Sequence, residues 1–174
     1  LPLGPLRGVP FLIKDLGLYY KGFATTFGSR LYADAVADHD STLVTRYLKA
    51  GLVIFGKTNT PEFGITVTTE PRLYGPCRNP WNPTRTSGGS SGGAVAALAA
   101  GVGALALGTD GGGSIRRPAG HTGLYGFKPG WNSVPRENGL PEVLPEMEVI
   151  GPMARSARDL QLAMTVIGGE SPGA

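Results

Sequence analysis

The stretch TSGGSSGGAVAALAAGVGALALGTDGGGS, residues 86–114, passes from glycine and serine through apolar sequence and back to glycine. A glycine–serine run is ordinarily a flexible spacer. This one feeds directly into GGAVAALAAG, a helical pattern that Gly101 terminates, and then into a strand at ALALGTD. Its glycines cluster at 88, 89, 92 and 93 and again at 111, 112 and 113, with no collagen-like period. Such clusters mark backbone that turns where a Cβ would clash, or that approaches a ligand closely. The stretch is therefore read as part of a folded core and not as a linker.

Working outward, VPFLIKDLG (9–17) reads as a short buried strand leading into a turn, with Lys14 inside the apolar run. Asp38, Asp40 or Ser41 can cap a helix through STLVTRYLKA, whose Leu43, Val44, Tyr47 and Leu48 share one face and which Gly51 closes. LVIFG (52–56) follows as a buried strand. TEPRLYGPCRNPWNPTRT (69–86) is predicted to be an extended loop, as is the proline-rich region 128–152. SARDLQLAMTVIGG begins with Ser156 and places Asp159 three residues on, a capping-box pattern that opens a last helix. Helices alternating with short apolar strands predict an α/β layer architecture, with no internal repeat and no domain boundary within 1–174.

The composition excludes several classes of function. A hydrophobic share of 41% in 174 residues is that of a globular chain able to bury a core. A net charge of +3 with scattered basic residues gives nucleic-acid binding little support. No run of about 18 apolar residues is present, so no membrane span is expected. Cys77 is the only cysteine, which rules out an internal disulfide, suits a reducing cytoplasmic setting and reads as a small buried residue. The chain starts at Leu1 without a methionine, so its native N-terminus is expected to lie elsewhere.

Two local patterns suggest other chemistries. GLVIFGKT (51–58) fits a phosphate-binding loop, but Leu52 to Phe55 read as a strand with paired amides and Pro61 interrupts the helix such a loop needs. It is read as a strand with an exposed Lys57. GGSSG (88–92) fits the nucleophile elbow of Ser-His-Asp α/β-hydrolases, with Asp110 and His121 following Ser90 in that fold's order. The residues before Ser90 read as loop, however, and the elbow serine must end a strand.

A third constellation uses more of the chain. Lys14 in an apolar setting loses hydration of its charged form and can act as a base near neutral pH. Serines at 90, 91 and 114 are flanked by glycines, and a serine needs such a base to become a nucleophile. The consecutive amides of DGGGS can face a developing oxyanion. The bland readings are a lysine snorkelling from a strand end and Ser114 as a helix cap. Residue chemistry leaves the choice between Ser90 and Ser91 open.

GVPFLIKD, GKTNTPEFG, RNPWNPTRTSGGSSGGAVAALAAG, GTDGGGSIRRPAG and GPMARSARDL, in this order, resemble the amidase signature family of Ser–Ser–Lys hydrolases. Within it the chain is similar to bacterial amidases, a group that includes enzymes acting on simple amides and nylon-type oligomers. The resemblance implies a mixed central β-sheet flanked by helices, of which 1–174 is the central segment, incomplete at both ends. It implies that Lys14 is the base, Ser90 the proton relay after a cis peptide, and Ser114 the nucleophile. Gly111, Gly112, Gly113 and Ser114 would supply the oxyanion hole, with Ser91, Asp110 and Arg116 supporting the loops. It implies no cofactor, no metal, and no role for His39 or His121. The substrate would be a small-molecule amide and the full-length protein a possible homodimer. A glutamine-amidase subunit of a tRNA-dependent amidotransferase is the alternative within the same resemblance. Arg117 and Gly130 depart from the family's pattern, and both are expected to alter the pocket wall.

Overall fold

The computed structural model describes residues 2–169. In chain order its elements are β1 (Pro10–Lys14), α1 (Thr42–Lys49), β2 (Val53–Thr58), β3 (Arg78–Asn79), β4 (Asn82–Thr86), α2 (Gly92–Ala99), β5 (Leu105–Asp110), α3 (Arg116–Thr122), β6 (Tyr125–Gly126), β7 (Val149–Ala154) and α4 (Ala157–Ile167). Two short 3-10 turns, Arg30–Tyr32 and Glu62–Gly64, lie in the connections. Five strands form one sheet in the order β2-β1-β5-β7-β6. β1 runs parallel to β2 and β5, and β7 runs antiparallel to β5 and β6, so the sheet is mixed.

The alternation of side chains along β1 and β5 sends successive residues to two cores. Phe11, Ile13, Leu105 and Leu107 join Leu43, Val44 and Tyr47 of α1 and Ala163 and Ile167 of α4 on one face. Leu12 and Ala106 join Ala94, Val95 and Leu98 of α2 and Ile115 on the other. The helices thus flank the sheet on both sides, as the α/β reading requires. Ser41 occupies the N-cap of α1, and Gly51 follows its C-cap with φ +86°. Ser156 caps α4 by accepting from the Asp159 amide, as the capping-box pattern predicts. In the first turn of α2, Gly93 donates to the Asn59 carbonyl at 3.1 Å, an approach that leaves no room for a side chain.

Four expectations are corrected. The 69–86 region is not all loop, because Arg78–Asn79 and Asn82–Thr86 pair as a small antiparallel ribbon. The 128–152 region contributes β7, with Pro152 inside it opposite Leu107. Pro152 is tolerated because its carbonyl accepts from Phe127 on the β6 side, so its nitrogen faces the short outer strand and not β5. β2 exists, but it is an edge strand with a bulge opposite Phe11/Leu12, and its Phe55 is half exposed. Lys57 is not exposed: its ammonium donates to the carbonyl of Leu18 at 3.0 Å and to the Thr25 hydroxyl, with the Asp15 carboxylate 3.9 Å away.

Candidate active site

Three segments converge at the C-terminal ends of the adjacent parallel strands β1 and β5, where ligands commonly bind in α/β sheets. They are the end of β1, the turn before α2, and the glycine turn between β5 and α3. Lys14 ends β1 and is 0% exposed. Its ammonium donates to Ser90 Oγ at 2.6 Å and to Thr109 Oγ1 at 2.8 Å. Burial lowers its pKa from 10.5 to about 7, against the opposing pull of the negative charges of Glu148 and Asp110.

The turn before α2 points the hydroxyls of its two adjacent serines to different partners. The Gly89–Ser90 peptide is cis, and the Ser90 hydroxyl is the one that meets Lys14. Ser91 sits at the N-cap position of α2 with its hydroxyl directed to the Thr109 carbonyl at 3.5 Å, away from the lysine. Its amide donates to the Ser114 carbonyl at 3.2 Å, tying this turn to the next.

The glycine turn is built around Asp110, which is fully buried. Its carboxylate accepts from the amides of Gly113, Ile115 and Arg116 at 2.7, 3.1 and 3.2 Å, and from both Nε and a terminal nitrogen of Arg116. Burial alone would raise its pKa, but these donors hold it down to about 2. The Gly113 amide, expected to face an oxyanion, is therefore already engaged. The amides of Gly111, Gly112 and Ser114 have no hydrogen-bond partner among the described residues. Ser114 is not a helix cap, since Ile115 occupies that position of α3.

Ser90, Thr109, Gly111, Gly112 and Ser114 line one cavity of ≈ 410 Å³. Leu16, Phe27, Phe63, Leu140 and Leu144 supply apolar walls, and Arg117 and Glu148 supply charge. Thr109, Glu148 and these walls escaped sequence reasoning, because they carry no motif and come together only by folding. The one available signal was the GTD preceding the glycine run. Asp110 is committed to Arg116, and the His121 side chain hydrogen-bonds neither Asp110 nor Ser90 among the described residues, so the Ser-His-Asp arrangement does not assemble. No group of three or more His, Cys, Asp or Glu suited to a metal ion occurs among the described residues, and no described helix is long and apolar enough to cross a membrane.

With this fold and this site in hand, comparison with known proteins is decisive about class. The Amidase family model matches residues 1–174, and the chain belongs to that family. A glutamyl-tRNA(Gln) amidotransferase subunit of Sulfurisphaera tokodaii is 47% identical over 171 residues, covering 98% of this chain and 36% of that protein. The structure of 6-aminohexanoate cyclic dimer hydrolase complexed with substrate superimposes with a TM-score of 0.93 at 41% identity, covering 99% of this chain and 36% of that one. The corresponding glutamyl-tRNA(Gln) amidotransferase subunit of Thermotoga maritima gives a TM-score of 0.92 at 39% identity, covering 97% and 37%. The chain thus spans about a third of the length of the relatives it matches.

Proposed function

We propose that this chain carries the catalytic centre of an enzyme that hydrolyses a carboxylic amide through an acyl-enzyme on Ser114. One observation carries the reading: a lysine without solvent contact, its pKa brought to about 7, is bonded at 2.6 Å to Ser90, which shares a cavity with Ser114. Neutral Lys14 takes the Ser90 hydroxyl proton as Ser90 takes that of Ser114, and Ser114 Oγ adds to the amide carbonyl carbon. The carbonyl oxygen becomes an oxyanion, and the unengaged amides of Gly111, Gly112 and Ser114 are suited to receive it. Gly113 is left out of that hole because its amide is held by Asp110.

When the tetrahedral adduct collapses, the proton returns through Ser90 to the nitrogen, the C–N bond breaks and the amine departs. Water then adds to the acyl carbonyl through the same relay, releasing the carboxylic acid and restoring the Ser114 hydroxyl. Thr109 orients the lysine, Ser91 ties the two turns together, and Asp110 with Arg116 holds the glycine turn. These steps use no cofactor.

Labelling of the full-length protein with a fluorophosphonate, followed by peptide mapping, tests the assignment: an adduct on Ser114 is expected, and one on Ser90 overturns it. A second reading, a glutamine-amidase subunit that acts with partner proteins, draws on the names of the relatives at 47 and 39% identity. Turnover of simple amides by the isolated full-length protein favours the first reading. Ammonia release from glutamine only when partner subunits are present favours the second.

A further inference from the structure

Two arginines stand side by side at the start of α3, and they are used differently. Arg116 is committed to the buried Asp110 carboxylate. The Arg117 side chain has no hydrogen bond or ion pair among the described residues, and its Nε is buried without an acceptor. Yet Arg117 lines the same cavity as Ser90 and Ser114, and among the described residues it is the only lysine or arginine in that lining. The single carboxylate of the described lining, Glu148, is held by Arg136 at 3.2 Å. The cavity therefore presents an uncompensated positive charge and an orphaned donor, which a buried site leaves unmade only at a cost.

The backbone makes room for this side chain. Gly113 has φ +107°, and a methyl group there would stand 3.0 Å from Arg117 Nε and 3.4 Å from its Cγ and Cζ. The guanidinium thus rests against the turn that leads into Ser114, close to where a bound amide would react. In the same lining, Leu140, Leu144 and Leu16 offer only apolar contact.

We infer that Arg117 recognises a carboxylate carried by the substrate, so that the enzyme takes amides with an anionic group a short apolar reach from the scissile carbonyl. The inference rests on reading the cavity as an amide-hydrolysing site. A planar guanidinium offers paired N–H groups to a carboxylate, and pairing would satisfy the orphaned nitrogen and the unbalanced charge together. Arg117 is a specificity-determining residue on this account, with no part in the proton relay. The carboxylate can sit on the acyl side, as in a monoamide of a dicarboxylic acid, or on the amine side, as in an N-acyl amino acid.

The test compares charged and neutral substrates of matched size with the full-length protein. Succinamate is set against butanamide for the acyl side, and butanoylglycine against N-propylbutanamide for the amine side. Wild-type kcat/KM is expected to favour one charged member by about tenfold or more. Arg117→Gln should bring that ratio close to one, and Arg117→Lys should keep part of it. Calorimetric binding of succinate supplies a readout that needs no turnover, and Arg117→Gln should weaken it by about tenfold or more. Equal turnover of charged and neutral substrates by the wild type, with succinate binding indifferent to Arg117, overturns the inference and leaves the hydrolase reading intact. Succinate binding that depends on Arg117 in a protein that hydrolyses no amide keeps the anion site and removes the hydrolase reading.

Discussion

The ammonium of Lys14 donates to Ser90 Oγ at 2.6 Å, joining residues 76 positions apart, and the two side chains are 0 and 1% exposed. A lysine in this position is neither a surface charge nor half of an ion pair. Its depressed pKa follows from burial, and its direction is fixed by Ser90 and Thr109.

The first consequence is a pH dependence of catalysis. A base works only when deprotonated, so kcat/KM should rise as pH increases through about 7 and level off above it. Lys14→Met should lower kcat/KM by about a hundred- to ten-thousand-fold. Steady-state profiles of both proteins across neutral pH check this. A flat wild-type profile, or a variant within tenfold of wild type, would remove Lys14 from the relay.

The second concerns stability, with the opposite benefit. The folded pKa of about 7 lies below the ordinary 10.5, so between these values the unfolded chain binds more protons than the folded one. Wild-type stability from this group therefore rises with pH from about 7 to about 10.5, and the full cost of the buried charge is felt below about 7. Lys14→Met removes that cost. The Tm difference, variant minus wild type, is expected to become more positive as pH falls across this window. A difference that is constant with pH would refute the shift whatever its sign.

Much of this was legible in the sequence, and the exceptions have physical causes. The helix at 92–99 and the strand at 105–110 follow from apolar periodicity bounded by glycines, and Lys14 was conspicuous as a charge inside PFLIK. β7 was hidden because Pro152 argues against a strand, and only its pairing geometry excuses it. Lys57 looked exposed because Asp15 and the Leu18 carbonyl, which receive it, lie far away in sequence. The choice between Ser90 and Ser91 needed side-chain direction, which no spacing encodes. The local pattern DGGGS gives no sign that the Asp110 side chain folds back onto the Gly113 amide.

Asp110 gives a prediction at acid pH. Its folded pKa of about 2 lies below the ordinary 3.8, so the stability it contributes is present above about pH 4 and lost as pH falls through about 2. The shift corresponds to about 2 kcal/mol. In Asp110→Asn the side chain also turns a donor toward amides that need an acceptor, loosening the turn that carries Ser114. The variant should lose most of its activity at pH 7 and be less stable there than wild type. The stability gap should narrow between about pH 4 and pH 2. Denaturant melts across that range decide it, and a gap that does not change would exclude the carboxylate as the anchor.

Two glycines in helices separate close approach from mere propensity. Alanine favours a helix over glycine by up to about 1 kcal/mol, and on that ground both Gly93→Ala and Gly120→Ala should stabilise. At Gly120 in α3 a new Cβ meets nothing within 4 Å, so a gain of about 0.5–1 kcal/mol is expected. At Gly93 in α2 the same Cβ would stand 2.3 Å from the Asn59 nitrogen and 2.6 Å from its oxygen, both backbone atoms that no rotamer change can clear. Crowding of this kind costs about 1–3 kcal/mol and outweighs the propensity gain. Gly93→Ala should therefore destabilise, and by shifting the start of α2 it should also pull Ser90 away from Lys14 and lower kcat. Urea melts and turnover of the two variants side by side test the contrast. A stabilised, fully active Gly93→Ala protein would mean that the glycines opening α2 serve flexibility and not close packing.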